Sequence, residues 1–63
     1  KMFKVGDKVC IKKCKELKYL VGTESEVKEI IFDERNKPFG VEVDFGGCLT
    51  TLFFEEGELK LVQ

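Results

Sequence analysis

Short runs in which apolar and polar residues alternate make up most of this 63-residue chain, and turn residues separate the runs. Directly after a Gly-Asp pair, Val9 and Ile11 alternate with the polar positions of residues 8–12. A period of two places successive side chains on opposite faces of a strand, so one face can be buried while the other faces water. The pattern predicts a first strand over about residues 8–13, whose apolar face needs further strands to cover it.

A second strand is predicted over about residues 23–33, and its apolar positions change face along the run. Val27 stands alone among polar residues, whereas residues 30–32 are all apolar. A change of face is typical of an extra residue in one strand, so we predict a β-bulge or sharp bend near Glu29. Bends of this kind let a short sheet curl. The polar residues 33–37 then form a hairpin loop.

The third strand has the most regular alternation and is predicted over about residues 39–45. One of its faces is predicted to carry Phe39, Val41, Val43 and Phe45. Pro38 stands at the entrance of this strand, where the N–H that proline lacks is not needed by the ladder.

The Gly46-Gly47 pair predicts a two-residue hairpin turn, because glycine accepts positive φ at both positions. A fourth strand over about residues 48–54 follows. Its faces are predicted to carry Leu49, Thr51 and Phe53 on one side and Thr50, Leu52 and Phe54 on the other. Residues 55–57 predict a tight turn with 3₁₀ geometry, and the last strand covers about residues 58–62.

The longest connection is residues 14–22, between the first two strands. Its apolar residues have near-helical spacing, but nine residues ending in glycine are too few for a stable helix. We therefore predict a loop with one 3₁₀ turn, pinned to the core by Leu17 and Leu20.

Five short strands separated by turns predict an all-β fold, a small barrel that forms one domain over residues 1–63. The hydrophobic content of 43% is enough for one compact core. No apolar run approaches the ~20 residues of a membrane helix, and the N-terminus lacks the apolar region of a signal peptide. We therefore expect a soluble, cytoplasmic protein without membrane contact, with a mature secreted form as the alternative.

The charges are segregated along the chain, although the net charge is −1. Residues 1–18 hold seven lysines and two acidic residues, whereas residues 19–63 hold four basic and ten acidic residues. Such asymmetry indicates either a basic contact surface or lysines that keep an edge strand from aggregating. As candidate contact residues the pattern indicates Lys12, Lys13, Lys15, Lys18, Tyr19 and Leu20.

The three cysteines, Cys10, Cys14 and Cys48, are an odd number, which argues against a complete disulfide framework. Because the chain has no histidine, a zinc site would need an acidic residue as its fourth ligand. We expect reduced thiols and no metal or other cofactor, with a metal site and a single intramolecular disulfide as the alternatives.

Catalytic constellations are missing from the sequence. It has no histidine, hence no Ser-His-Asp or Cys-His set, and it has no phosphate-binding glycine loop. We therefore expect no enzymatic activity and no small-molecule substrate.

The first two strands also share a pattern with known proteins: an apolar residue, Gly-Asp, two alternating apolar positions, a loop ending in glycine, and a second strand. The matching residues are Phe3, Gly6, Asp7, Val9, Ile11, Gly22, Val27 and Ile30. This pattern resembles an SH3-like barrel, and its start is similar to the KOW motif of ribosomal proteins and transcription elongation factors, with Ser25 where KOW motifs carry glycine. The closing run FEEGELKLV is similar to the end of such barrels. The resemblance covers nearly the whole chain and implies a five-stranded SH3-like barrel with a short 3₁₀ turn before the last strand.

SH3-like barrels include RNA binders, peptide binders, methyl-lysine readers and small subunits of larger assemblies, so the resemblance does not select a function. One hypothesis is a binding module that engages a protein partner through the first loop, as an accessory subunit, an adaptor, or an inhibitor encoded by a phage or mobile element. The alternative is a KOW-like module that binds RNA through the basic surface of residues 8–18, with Tyr19 stacking on a base. The pI of about 5.4 favours the protein partner, because nucleic-acid modules are usually basic.

Overall fold

The fold is all-β, as the sequence predicts. The structure is a computed structural model, and it describes residues 3–46 and 51–62. The strands within these residues are β1 (Lys8–Ile11), β2 (Glu24–Phe32), β3 (Pro38–Asp44), β4 (Thr51–Phe54) and β5 (Leu59–Leu61). Two 3₁₀ turns, η1 (Lys18–Leu20) and η2 (Glu56–Glu58), stand before β2 and β5. The predicted 3₁₀ turns in the first loop and before the last strand are therefore confirmed.

All strand pairs are antiparallel, in the order β4-β3-β2-β1-β5. The first four strands form a meander, and β5 returns to pair with β1. In the described residues the sheet is not closed into a barrel by a ladder between β4 and β5, which form its two edges. The turn η2 fills the connection between them, so β5 begins where it pairs with β1 and not with β4.

One face of the curled sheet forms the core. Its buried members are Val9, Ile11, Val27, Val41, Val43, Phe54 and Leu59. Phe3, Cys14, Ile30, Phe45 and Leu52 pack against this cluster while partly exposed. On β1 and β3 the buried residues alternate, as a period of two requires, so the predicted buried face of β1 is confirmed. We call the opposite side of the sheet the outer face.

The predicted bulge in β2 is present. Val27 pairs with Val43 and Glu29 pairs with Glu42, so the residue between them, Lys28, has no partner on β3. The bulge moves the apolar residues after it by one position relative to the core. Ile30 therefore continues the core face that Val27 began.

A second register shift corrects the prediction for Phe39. Ile31 pairs with Gly40 and Phe32 pairs with Pro38, so Phe39 is the extra residue on β3. The shift removes Phe39 from the buried face of β3, and its side chain is 50% exposed. Pro38 is the first residue of β3, at the strand entrance that the sequence predicted.

The glycine turn after β3 differs from the prediction in register. Gly46 has a φ of +75°, which glycine adopts without steric cost. Asp44 pairs with Thr51, whereas a two-residue Gly46-Gly47 turn would pair it with Leu49. Gly47 and the first part of the predicted fourth strand lie outside the described residues.

The turn η2 is closed by a capping box, in which Glu55 N–H donates to Glu58 Oε1 at 2.9 Å. This box fixes the direction in which the chain enters β5.

Candidate functional site

The connection between β1 and β2, residues 12–23, is held closed at its base; we call it the basic loop. Gly22 N–H donates to the Ile11 carbonyl at 2.8 Å, and Ile11 N–H donates to the Thr23 carbonyl at 2.9 Å. Gly22 has a φ of +91°, a left-handed conformation that glycine adopts without steric cost. The two bonds continue the β1–β2 ladder, so the loop leaves the sheet from a fixed base.

Leu20 anchors the middle of the loop. Its side chain is only 4% exposed, and its carbonyl accepts hydrogen bonds from the Thr23 hydroxyl at 2.6 Å and the Thr23 N–H at 3.0 Å. Leu20 N–H donates to the Leu17 carbonyl, which forms the 3₁₀ turn. Of the two predicted anchors, Leu20 is therefore buried, whereas Leu17 is only half-buried. The same burial removes Leu20 from the contact residues that the sequence indicated, because its side chain does not reach the surface.

Tyr19 is the most exposed large hydrophobic residue of the described chain, at 70%. It directly precedes Leu20 in η1, and the anchoring of Leu20 in the core turns the neighbouring side chain toward solvent. A tyrosine offers an apolar ring and a hydroxyl at little cost in conformational entropy, which suits it to contacts with another molecule.

Four lysines of the basic loop are exposed: Lys12, Lys13, Lys15 and Lys18. Within residues 3–46 and 51–62, none of their ammonium groups forms an ion pair. The backbone N–H groups of Lys12 and Lys13 donate to the Glu58 carbonyl at 2.8 and 3.3 Å, so η2 holds the start of the loop. The ammonium groups of these lysines are therefore available to a partner, and the first two of the lysines lie beside the acidic turn η2.

Lys8 lies in a different electrostatic setting from the loop lysines. It is on β1, opposite Glu26 of β2, and Cys10 is opposite Glu24 on one side and Lys60 on the other. Opposite charges at paired positions attract each other. The basic surface of residues 8–18 therefore has two parts. Lys8 faces a carboxylate of β2, whereas the lysines of the basic loop do not.

The cysteines offer no site in the described residues. Cys10 and Cys14 are both free and half-buried, and Cys48 lies outside the described residues. No group of three metal-binding side chains comes together in residues 3–46 and 51–62. The same part of the chain forms no helix with the length and apolar character that a membrane crossing requires.

An aromatic pair on the outer face is the feature that sequence reasoning missed. Phe39 and Phe53 meet edge to face, with ring centroids 5.5 Å apart. The Phe53 ring lies against Gly40, in the space that a Cβ at this position would need. A glycine inside a strand marks such a close approach, so Gly40 was the signal available in the sequence.

With this geometry established, the chain was compared with known proteins. No protein-family model, no curated protein and no solved structure matches it.

Proposed function

We propose that this domain is a small, non-enzymatic binding module that engages a protein partner through the basic loop. The contact residues are Lys12, Lys13, Lys15, Lys18 and Tyr19, with Leu20 as the buried anchor. The observation that carries the proposal is the exposure of Tyr19 among lysines without ion pairs, on a loop fixed at both its base and its middle. The SH3-like architecture that the sequence resembles remains part of this proposal.

Pre-organisation is the physical reason to assign binding to this loop. Ordering a flexible loop on association opposes binding, so a loop already held in place loses less entropy. The hydrogen bonds at Gly22 and Thr23 and the burial of Leu20 supply that order here. Exposed tyrosine and charged residues on such a scaffold are typical of contact surfaces.

Electrostatics favour a protein over a nucleic acid as the partner. A phosphate backbone is a continuous line of negative charge, and binding to it needs an extended cationic surface. Here the loop lysines are bounded by the acidic turn η2, and Lys8 faces Glu26. A protein partner with a local acidic patch can contact the loop alone. RNA binding through residues 8–18 is the second candidate function.

Affinity capture with matched baits tests the proposal. Wild-type protein, Tyr19→Ala and Val5→Ala are immobilised and exposed to nuclease-treated lysate of the source organism, and retained proteins are quantified by mass spectrometry. Val5 is the control because it is also apolar and exposed but lies outside the basic loop. We expect a partner that wild type and Val5→Ala retain equally and that Tyr19→Ala loses. Retention by all three baits would contradict the proposal, as would a partner that is retained only from a parallel lysate without nuclease treatment.

A further inference from the structure

The outer face of β2, β3 and β4 carries an exposed aromatic surface beside carboxylates. Glu29, Glu42 and Phe53 form one row across the three strands, because each is the cross-strand partner of the next. Phe53 is 42% exposed, although its ring covers Gly40 and contacts Phe39. The pair therefore presents apolar surface that the fold itself does not cover.

Acidic residues dominate the same face. Those of β2 and β3 are Glu24, Glu26, Glu29, Glu42 and Asp44. The bulged Lys28 is 4.0 Å from Asp44, and Glu26 faces Lys8 as well as Asp44. Glu29 and Glu42 differ, because they face each other and neither has an ion-pair partner in the described chain. Like charges at paired positions are destabilising. A local loss of stability that no neighbouring interaction offsets is typical of a functional surface.

Within residues 3–46 and 51–62, no strand pairs with the outer edge of β4, which borders this face. β4 is the last strand on its side of the sheet, and its residues Thr51–Phe54 include no charge, proline or glycine. Beyond the β3–β4 ladder, its backbone takes part in none of the backbone hydrogen bonds of the described residues. Natural proteins usually protect such edges with lysine, proline or a bulge, because an open edge pairs with other strands.

We propose that this edge and the adjoining outer face dock a basic, extended segment of a protein partner, which adds to β4 as a further strand. The segment alternates apolar and lysine or arginine residues. Its backbone bonds to β4, its apolar side chains extend the core face beside Leu52, and its basic side chains lie on the outer face. This site is separate from the basic loop and opposite to it in charge, so the domain can hold two partners of different chemistry.

The spacing of the strands would bring basic side chains of the added segment within reach of a carboxylate on the outer face. Neighbouring strands lie about 4.8 Å apart, so Glu42 is two strand spacings from the added segment. A lysine opposite Phe53 can lay its aliphatic stem along the ring while its ammonium group reaches Glu42. The same lysine side chain then contacts both the aromatic ring and the uncompensated carboxylate of Glu42.

Fluorescence anisotropy with defined peptides tests this site. The probe is a fluorescein-labelled nine-residue peptide of alternating lysine and valine, compared with peptides that alternate glutamate with valine or lysine with serine. We expect only the lysine–valine peptide to bind. The variant Glu29→Gln, Glu42→Gln is expected to raise its Kd about twofold to fivefold, since the one exposed ion pair, that of Glu42, contributes little and Glu29 attracts the peptide only at longer range. The control Glu16→Gln removes the same kind of charge from the basic loop and should leave the Kd unchanged.

The position of the peptide is checked by ¹⁵N chemical shifts of the full domain. We expect the largest changes at Thr51–Phe54 and Glu42, and none at Tyr19. Equal binding of the lysine–serine peptide, an unchanged Kd in the double glutamine variant, or changes centred on the basic loop would each overturn the proposal. The positively charged basic loop repels this lysine-rich peptide. A negative result with the peptide therefore overturns only the β4 site, and the proposed function of the basic loop is tested separately by affinity capture.

Discussion

Replacing Phe54 by alanine is expected to remove most of the stability of this domain, whereas the same change at Phe53 is expected to cost far less. Phe54 is 2% exposed and pairs with Val41, and its ring lies 6.5 Å from that of Phe45. A buried Phe→Ala change costs about 3–5 kcal/mol. A domain of this size has about 3–9 kcal/mol of unfolding free energy in total. The Phe54→Ala protein should therefore be largely unfolded or close to it.

Phe53 is the matched control because it is the same residue type in the same strand. Its ring lies on the outer face, and a cross-strand contact of that kind contributes up to about 1 kcal/mol. Urea denaturation followed by far-UV circular dichroism measures both variants. Equal losses, or a larger loss at Phe53, would contradict the register of β4, because a slip of one residue exchanges the two faces.

Gly40→Ala is expected to destabilise the domain by about 1–3 kcal/mol, the cost of overpacking. In a strand without a close neighbour the opposite sign would be expected, because alanine restricts the unfolded chain more than glycine does. Here a Cβ would overlap the Phe53 ring and would lie 2.9 Å from the Phe54 carbonyl oxygen. The ring would have to leave the sheet or the strands would have to separate.

A double-mutant cycle isolates this contact. In the Phe53→Ala background the ring is absent but the close contact with the Phe54 carbonyl oxygen remains. Gly40→Ala should then cost less without becoming neutral, and the two changes should couple by about 1–2 kcal/mol. Unfolding free energies of the four proteins in urea give the coupling. Additive effects would show that the Phe53 ring does not lie against Gly40.

The strands could be predicted because most of them follow a period-two alternation and turn residues separate them. The bulge near Glu29 was also visible, since the apolar positions change face there. The exposure of Phe39 could not be predicted, because the second register shift depends on how β2 and β3 pair next to the hairpin loop. Closure of the barrel could not be decided either, because it depends on where β5 begins relative to β4.

The candidate site was predicted in part. The lysines and Tyr19 of the basic loop could be identified from charge and position alone. The sequence assigned Leu20 both to the core and to the contact residues, and the structure of η1 decides between them: Leu20 is buried and its neighbour Tyr19 is exposed. The separation of Lys8 from the loop lysines required the cross-strand register with Glu26. The alternation of residues within one strand does not show which residues of the neighbouring strand lie opposite them.

Fluorescence anisotropy against mixed single-stranded and duplex RNA and DNA tests most directly whether the basic loop serves a protein or a nucleic acid. Wild-type protein and the Lys12→Glu, Lys13→Glu variant are titrated at low and at physiological salt. The expected result is no binding tighter than about 100 μM at physiological salt, the weak end of non-specific affinity, and little difference between the two proteins. Tight binding that falls steeply with salt and disappears in the variant would contradict it and would make residues 8–18 a phosphate-binding surface.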